Sequence, residues 1–149
     1  MASNNVWQIL LETPEKFDFT SISLQLWGKP VYYSSIKEIY NPIIHEDGSI
    51  GRGRGMPETK RKGVYALYSG KKLLKIGKAA DGDGMFHRMG QYYRGDPKGG
   101  SDKITPENRD KINVRYINFC TAKECWIAER MLQCVAYYKG ETMPWEAKK

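Results

Sequence analysis

The chain has 149 residues, of which 40% are hydrophobic, and it carries a formal net charge of +7 with a pI of about 9.3. This length is typical of one domain and is sufficient for a hydrophobic core. No apolar run approaches the roughly 20 residues of a membrane-spanning helix, which excludes a helical membrane protein. The positive charge favours a polyanionic partner, nucleic acid first, although many basic proteins bind none.

The cysteines and the first residues both favour a cytoplasmic location. Cys120, Cys125 and Cys134 are an odd number without the spacing of a metal site, so we expect reduced thiols. Cys134 is predicted to be a small buried apolar residue. The first residues contain neither the basic segment nor the cleavage site of a secretory signal.

Residues 1–60 are predicted to form an N-terminal extension whose aromatic side chains pack around the rest of the chain. Ser3 or Asn4 can cap a short helix over residues 6–11, which Pro14 would help to end.

The middle of the extension gives weaker signals. Apolar and polar residues alternate over residues 17–19 and 22–27, which predicts a strand, and residues 28–30 are typical of a turn. Residues 31–40 are compatible with a strand or a helix.

Residues 47–62, DGSIGRGRGMPETKRK, are rich in glycine and have no apolar period. Glycine leaves the backbone flexible, and guanidinium groups can enter a minor groove or bind phosphates. The part from about residue 48 to residue 62 is therefore predicted to be a DNA-binding arm, although a solvated surface loop would have the same composition. The basic residues of this arm are Arg52, Arg54, Lys60, Arg61 and Lys62.

Residues 63–78, GVYALYSGKKLLKIGK, are predicted to form a β-hairpin, because alternating apolar residues flank a short turn that contains glycine. Side chains alternate across a strand, so Tyr65 and Leu67 are expected on one face of the sheet. Lys75 on the return strand is expected near Tyr65.

A helix is predicted over residues 85–93, with Asp83 as its cap and Gly95 at its end. Arg88 and Tyr92 are four residues apart, so they share one face of this helix. A long polar loop follows.

The last part of the chain is predicted to contain a third strand over residues 112–119 and a helix over residues 121–138, which begins with a capping box. Glu129 lies near the edge of the apolar stripe of this helix, where it can reach into a cleft or pair with a neighbour such as Lys123. The stripe is predicted to consist of Ile127, Met131, Cys134, Val135 and Tyr138.

Residues 63–65, Gly-Val-Tyr, and 75–77, Lys-Ile-Gly, resemble the two motifs of the GIY-YIG nuclease superfamily. Arg88 at the start of a helix and Glu129 in a later helix match the pattern of that family. Lys75 replaces the second motif tyrosine, as it does in some small type II restriction endonucleases of the family, which this chain resembles most.

The resemblance covers residues 62–145 and implies an α/β fold. The expected core is a small, mostly antiparallel three-stranded sheet flanked by helices, and with the extension it forms one compact domain. Residues 143–145 resemble the closing segment of the family, but Glu146 replaces the asparagine of many members.

The resemblance further implies that the protein hydrolyses phosphodiester bonds in double-stranded DNA. Tyr65 would accept a proton from the attacking water or orient it. A phenol needs nearby positive charge to act as a base near neutral pH, and Lys75 and Lys78 would provide it by lowering the pKa of Tyr65.

The remaining implied residues bind the phosphate and the metal. Arg88 would hold the scissile phosphate with Tyr92 beside it, and Glu129 would hold Mg²⁺ or Mn²⁺. A restriction enzyme that cuts both strands would favour a homodimer.

Two other classes of function remain open besides a phage or mobile-element nuclease of low specificity. One is a DNA-binding module that keeps the fold without cleaving DNA. The other is an RNA-binding or structural basic protein in which the hairpin match is accidental; it would show salt-sensitive binding and no metal dependence.

Overall fold

A computed structural model describes residues 2–145, with side chains from residue 6 onward, so Glu146 lies outside the described residues. The fold is mixed α/β, as predicted. Its helices are α1 (Ala2–Glu12), α2 (Phe19–Trp27), α3 (Ile36–Tyr40), α4 (Gly84–Arg94) and α5 (Ala122–Tyr138). Its strands are β1 (Tyr32–Ser35), β2 (Ile43–Ile44), β3 (Ile50–Gly51), β4 (Gly63–Ser69), β5 (Lys72–Ala79) and β6 (Asn113–Asn118).

The main sheet is antiparallel and has four strands in the order β1-β6-β4-β5, rather than the three that were predicted. The additional strand is β1, which comes from the N-terminal extension and pairs with β6. The extension therefore completes the sheet, and residues 31–40, which the sequence left undecided, contain both a strand and the helix α3. Strands β2 and β3 form a separate small hairpin, and β3 lies within the arm.

The predicted hairpin is confirmed as β4 and β5. Tyr65 lies opposite Gly77, and Leu67 lies opposite Lys75, so Lys75 shares the face of Tyr65 but lies further along the strand. A register shift follows Leu67, close to the turn.

The sheet separates two hydrophobic cores. Tyr65 and Leu67 pack with α3 and α4 on one face. Val64 and Ala66 face the other side and pack with α1, α2 and α5. This alternation agrees with the period of two that the hairpin sequence predicted.

The strand predicted within residues 17–27 is wrong, because this segment contains the helix α2. The Asp18 side chain accepts a hydrogen bond from the Ser21 backbone nitrogen, and the Ser21 hydroxyl accepts one from the Asp18 backbone nitrogen. This capping box fixes the start of the helix, and Gly28 ends it in the left-handed region.

The N-terminal helix and the cap of α4 also differ from expectation. Helix α1 already includes Ser3 and Asn4, so neither residue is its N-cap. Asp83 does precede α4, but its side chain makes no capping hydrogen bond. Gly95 ends α4 in the left-handed region, as predicted.

The capping box of α5 is confirmed, whereas its predicted apolar stripe is largely wrong. Ile127, Cys134 and Tyr138 are exposed, and of the predicted stripe only Val135 is fully buried. The buried face instead includes three small residues, which allow the helix to lie close to the sheet. Its members are Cys125, Ala128, Leu132, Val135 and Ala136.

Within residues 2–145, no helix is long and apolar enough to cross a membrane. The three cysteines are free, with Cys125 buried and Cys120 and Cys134 exposed.

Candidate functional site

One guanidinium joins two buried phenols at the centre of the candidate site. The Tyr65 and Tyr92 hydroxyl oxygens lie 2.6 Å apart. Arg88 Nε donates to the Tyr65 hydroxyl at 3.2 Å, and Arg88 Nη2 donates to the Tyr92 hydroxyl at 3.1 Å. Both tyrosines are almost fully buried, whereas Arg88 is half-buried. The structure thus brings together three residues predicted from the sequence.

Local geometry explains why these three side chains meet. Arg88 and Tyr92 are one helical turn apart on α4, and the guanidinium carbon lies 4.6 Å from the centre of the Tyr92 ring. Tyr65 projects from β4 across Gly77 on β5. A Cβ at Gly77 would lie 2.5 Å from the Tyr65 hydroxyl oxygen, so only glycine leaves room for the ring. The glycine of the second motif therefore has a packing role here.

The third nitrogen of the Arg88 guanidinium is also engaged. Nη1 donates to the Gly99 carbonyl at 2.6 Å and to Gln91 Oε1 at 3.3 Å. Gly99 lies in the polar loop after α4 with φ of +83°, where a side chain would be strained and would overlap Gln91. Neither Gln91 nor Gly99 was predicted, because a contact to a loop carbonyl has no side-chain signature in the sequence.

The surroundings of Tyr65 do not favour its expected role as a general base. Burial raises the pKa of Tyr65 well above its usual value, and the adjacent Tyr92 raises it further. The Arg88 guanidinium acts in the opposite direction but does not offset burial. The expectation that nearby lysines lower this pKa is therefore not met in the geometry described.

Lys78 and Glu129 form a second cluster on the other face of the sheet. Lys78 lies opposite Val64 on β5 and therefore faces α5. Its Nζ is 3.7 Å from Glu129 Oε1, and the Glu129 side chain is only 13% exposed. Glu129 thus pairs with Lys78 rather than with Lys123, the neighbour considered from the sequence.

Arg88 of the first cluster and Lys78 of the second line one cleft of about 880 Å³, whereas Tyr65, Tyr92 and Glu129 lie behind its lining. The cleft opens at β5, which is an edge strand, and lies between α4 and the first turns of α5. Residues from both faces of the sheet line it, including Lys78, Asp81, His87, Arg88, Gln91 and Trp126. His87 and Trp126 were not predicted as site residues, and Ile127, which also lines the cleft, was predicted to be core.

One carboxylate, that of Glu129, is the metal ligand expected in this region. Among residues 2–145, no three or more His, Cys, Asp or Glu side chains are grouped to hold a metal ion. Mg²⁺ commonly uses one or two carboxylates and completes its shell with waters and substrate phosphates. A single, largely buried carboxylate such as Glu129 is compatible with that donor set.

The arm is attached to the core by backbone hydrogen bonds. Arg54 N donates to the Asn41 carbonyl, Met85 N donates to the Arg61 carbonyl, and Phe119 N donates to the Lys62 carbonyl, each at 2.9 Å.

The arm nevertheless presents its charges to solvent. Arg52, Arg54, Lys60 and Arg61 are exposed, and Lys62 is half-buried. A Cβ at Gly53 would overlap Tyr40, so this glycine serves close packing rather than the flexibility that was expected.

Comparison with known proteins adds no assignment to this geometry. No family model matches the chain, and no curated protein and no solved structure matches it. Any assignment of function therefore depends on the residues of the cleft and the arm.

Proposed function

We propose that the protein is a metal-dependent endonuclease that hydrolyses phosphodiester bonds in double-stranded DNA. The observation that supports this most is the position of Arg88. Its guanidinium contacts the Tyr65 and Tyr92 hydroxyls beside a cleft that also contains Lys78, the partner of Glu129. The exposed basic arm and the net charge of +7 suit a polyanionic substrate.

Arg88 is the proposed ligand of the scissile phosphate. A guanidinium can donate two parallel hydrogen bonds to phosphate oxygens and offset the charge that develops during attack. Four of the five Arg88 N–H groups already donate to protein oxygens, so a phosphate that accepts two hydrogen bonds must replace at least one of these contacts. The Gly99 carbonyl is the natural one to be displaced, because it belongs to a loop.

Tyr65 is the proposed positioning group for the attacking water. Because burial raises the pKa of Tyr65, its phenol stays protonated near neutral pH and acts through hydrogen bonds. Tyr92 holds this hydroxyl from one side and Arg88 from the other.

Glu129 is the proposed ligand of Mg²⁺ or Mn²⁺, and the metal would offset negative charge on the leaving oxygen. Lys78 holds the Glu129 carboxylate in the absence of substrate. Lys75, on the Tyr65 face of β5, stays a predicted catalytic residue. We further propose a site-specific restriction enzyme that acts as a homodimer in the cytoplasm, because two subunits would cut both strands.

The test is cleavage of plasmid DNA with and without Mg²⁺. We expect discrete fragments from the wild type, and none without the metal. Glu129→Ala should abolish cleavage, and Arg88→Ala should lower the rate about a hundredfold or more. Glu15→Ala, at an exposed glutamate outside the cleft, is the control and should cleave like the wild type.

Other outcomes would select other functions. Nicks or a smear with the same metal dependence would keep the chemistry and remove site specificity. Binding without cleavage of any DNA would favour a non-catalytic DNA-binding module. One observation favours that second candidate: the four hydrogen bonds that Arg88 donates to protein oxygens also suit a purely structural arginine.

A further inference from the structure

The wall of the cleft formed by α5 is apolar, although it is exposed. Trp126 and Ile127 line the cleft with 52% and 46% of their surface exposed. They lie outside the buried side of α5. Two neighbouring large apolar side chains that line a cleft and stay exposed favour a ligand surface over a packing surface.

Basic side chains flank this apolar wall, although Asp81 adds a negative charge to the lining of the cleft. Lys123, Trp126, Ile127 and Arg130 follow helical spacing and are all exposed, so they form one face of α5. The Arg130 guanidinium carbon lies 5.8 Å from the centre of the Trp126 indole. Arg88 lines the same cleft. A ligand that is both aromatic and anionic would match this combination, and a nucleotide has both properties.

The size of the cleft agrees with such a ligand. Pockets for small molecules hold about 300–1,000 Å³, and this cleft of about 880 Å³ lies within that range. A site that contacts only the phosphate backbone of an intact duplex needs no aromatic side chain, because the bases of a duplex stack on one another. Aromatic side chains stack on bases that are single-stranded or extruded.

We propose that Trp126 stacks on a nucleobase that has left the base stack beside the phosphate bound by Arg88. This inference rests on the proposed function and narrows its substrate to DNA with an unstacked nucleotide at the cleavage site. Stacking accepts every base, because each has a π-face, so Trp126 recognises an unstacked base as such and not its identity.

Two probes of equal charge test the proposal without knowledge of a target sequence. One is a thymidine oligonucleotide, and the other is an abasic deoxyribose-phosphate chain of the same length. Dissociation constants are measured by fluorescence anisotropy at one salt concentration, because phosphate contacts depend on salt. The wild type should bind the thymidine probe about tenfold more tightly than the abasic probe.

The variants separate stacking from charge. Trp126→Ala should lower the affinity for the thymidine probe about tenfold and leave the affinity for the abasic probe unchanged. Trp126→Phe keeps a ring and should retain most of the preference. Tyr137→Ala is the matched control, because Tyr137 is an exposed aromatic of α5 that does not line the cleft.

Each contrary result overturns a defined claim. If Trp126→Ala changes neither affinity, or both equally, no base stacks on Trp126, and the apolar wall serves another occupant such as a partner protein or a second copy. A base preference that depends on Trp126 without plasmid cleavage would overturn the nuclease and keep the stacking. Metal-dependent cleavage without that preference would keep the nuclease and overturn the stacking. Absence of any DNA binding would overturn both the nuclease and the stacking.

Discussion

The Tyr65 hydroxyl has a measurable consequence at the scale of a single residue. An unfolded tyrosine ionises near a pH of about 10, whereas burial keeps native Tyr65 protonated to higher pH. The stability from this group is therefore fully present below about pH 10 and is lost as the pH rises towards the native pKa. The free energy of unfolding should fall with pH in this range, by up to about 1.4 kcal/mol per pH unit for one group.

The variant Tyr65→Phe should make this fall shallower, because phenylalanine has no proton to lose. Urea unfolding between neutral and alkaline pH gives the slope directly. Tyr137→Phe, at a tyrosine that is 76% exposed, is the control and should keep the wild-type slope. A Tyr65→Phe slope equal to that of the wild type would mean that Tyr65 is not buried as described.

The residues of the central cluster were more predictable than their partners. Tyr65, Arg88 and Tyr92 follow from the first motif and from helical spacing, and the structure joins them by hydrogen bonds. The contacts to Gly99 and between Lys78 and Glu129 come from chain segments far apart in sequence. Local sequence patterns carry no information about contacts between distant segments.

The start of helix α2 depends on a single carboxylate, that of Asp18. Asp18→Ala removes the side-chain half of the capping box and should destabilise the protein by about 1 kcal/mol at neutral pH. The hydrogen bonds from Ser21 lower the pKa of Asp18. The stabilisation is therefore present above the ordinary aspartate pKa and is lost as the pH falls through the lower native value.

Urea unfolding of wild type and Asp18→Ala at neutral and acid pH measures this effect. The difference between the two proteins should shrink as Asp18 becomes protonated in the native state. Glu15→Ala, at an exposed acidic residue just before the cap, should have little effect at either pH. A difference that does not change with pH would contradict the capping role of the carboxylate.

The sequence predicted the wrong type of element where the same apolar residues fit both the strand period and the helix period. Residues 17–27 alternate like a strand, but their apolar residues also fit a helix, and the capping box decides in favour of the helix. The stripe of α5 was wrong for a related reason: large apolar residues were assumed to face the core. The sheet instead accepts Ala128 and Cys125, and Ile127 turns to the cleft.

The central elements of the fold could be predicted from the sequence, whereas the fourth strand at the edge of the sheet could not. The β4–β5 hairpin and the helices that carry Arg88 and Glu129 could be placed from local patterns. The fourth strand could not, because β1 has four residues and its pairing with β6 joins distant parts of the chain. The arm lies between these extremes, since its charge is evident in the sequence but its attachment to Asn41 is not.

The arginines of the arm should contribute to the electrostatic binding of duplex DNA. If Arg52 and Arg54 each neutralise one DNA phosphate, their joint replacement by alanine should reduce the magnitude of the salt slope of duplex binding by about 1.8. The slope comes from dissociation constants measured over a series of salt concentrations. Lys71 and Lys72 are exposed where the turn after β4 leads into β5, and their joint replacement by alanine removes the same charge. Equal slopes for the two double variants would show that only net charge matters, whereas a loss confined to the arm would identify it as a DNA contact.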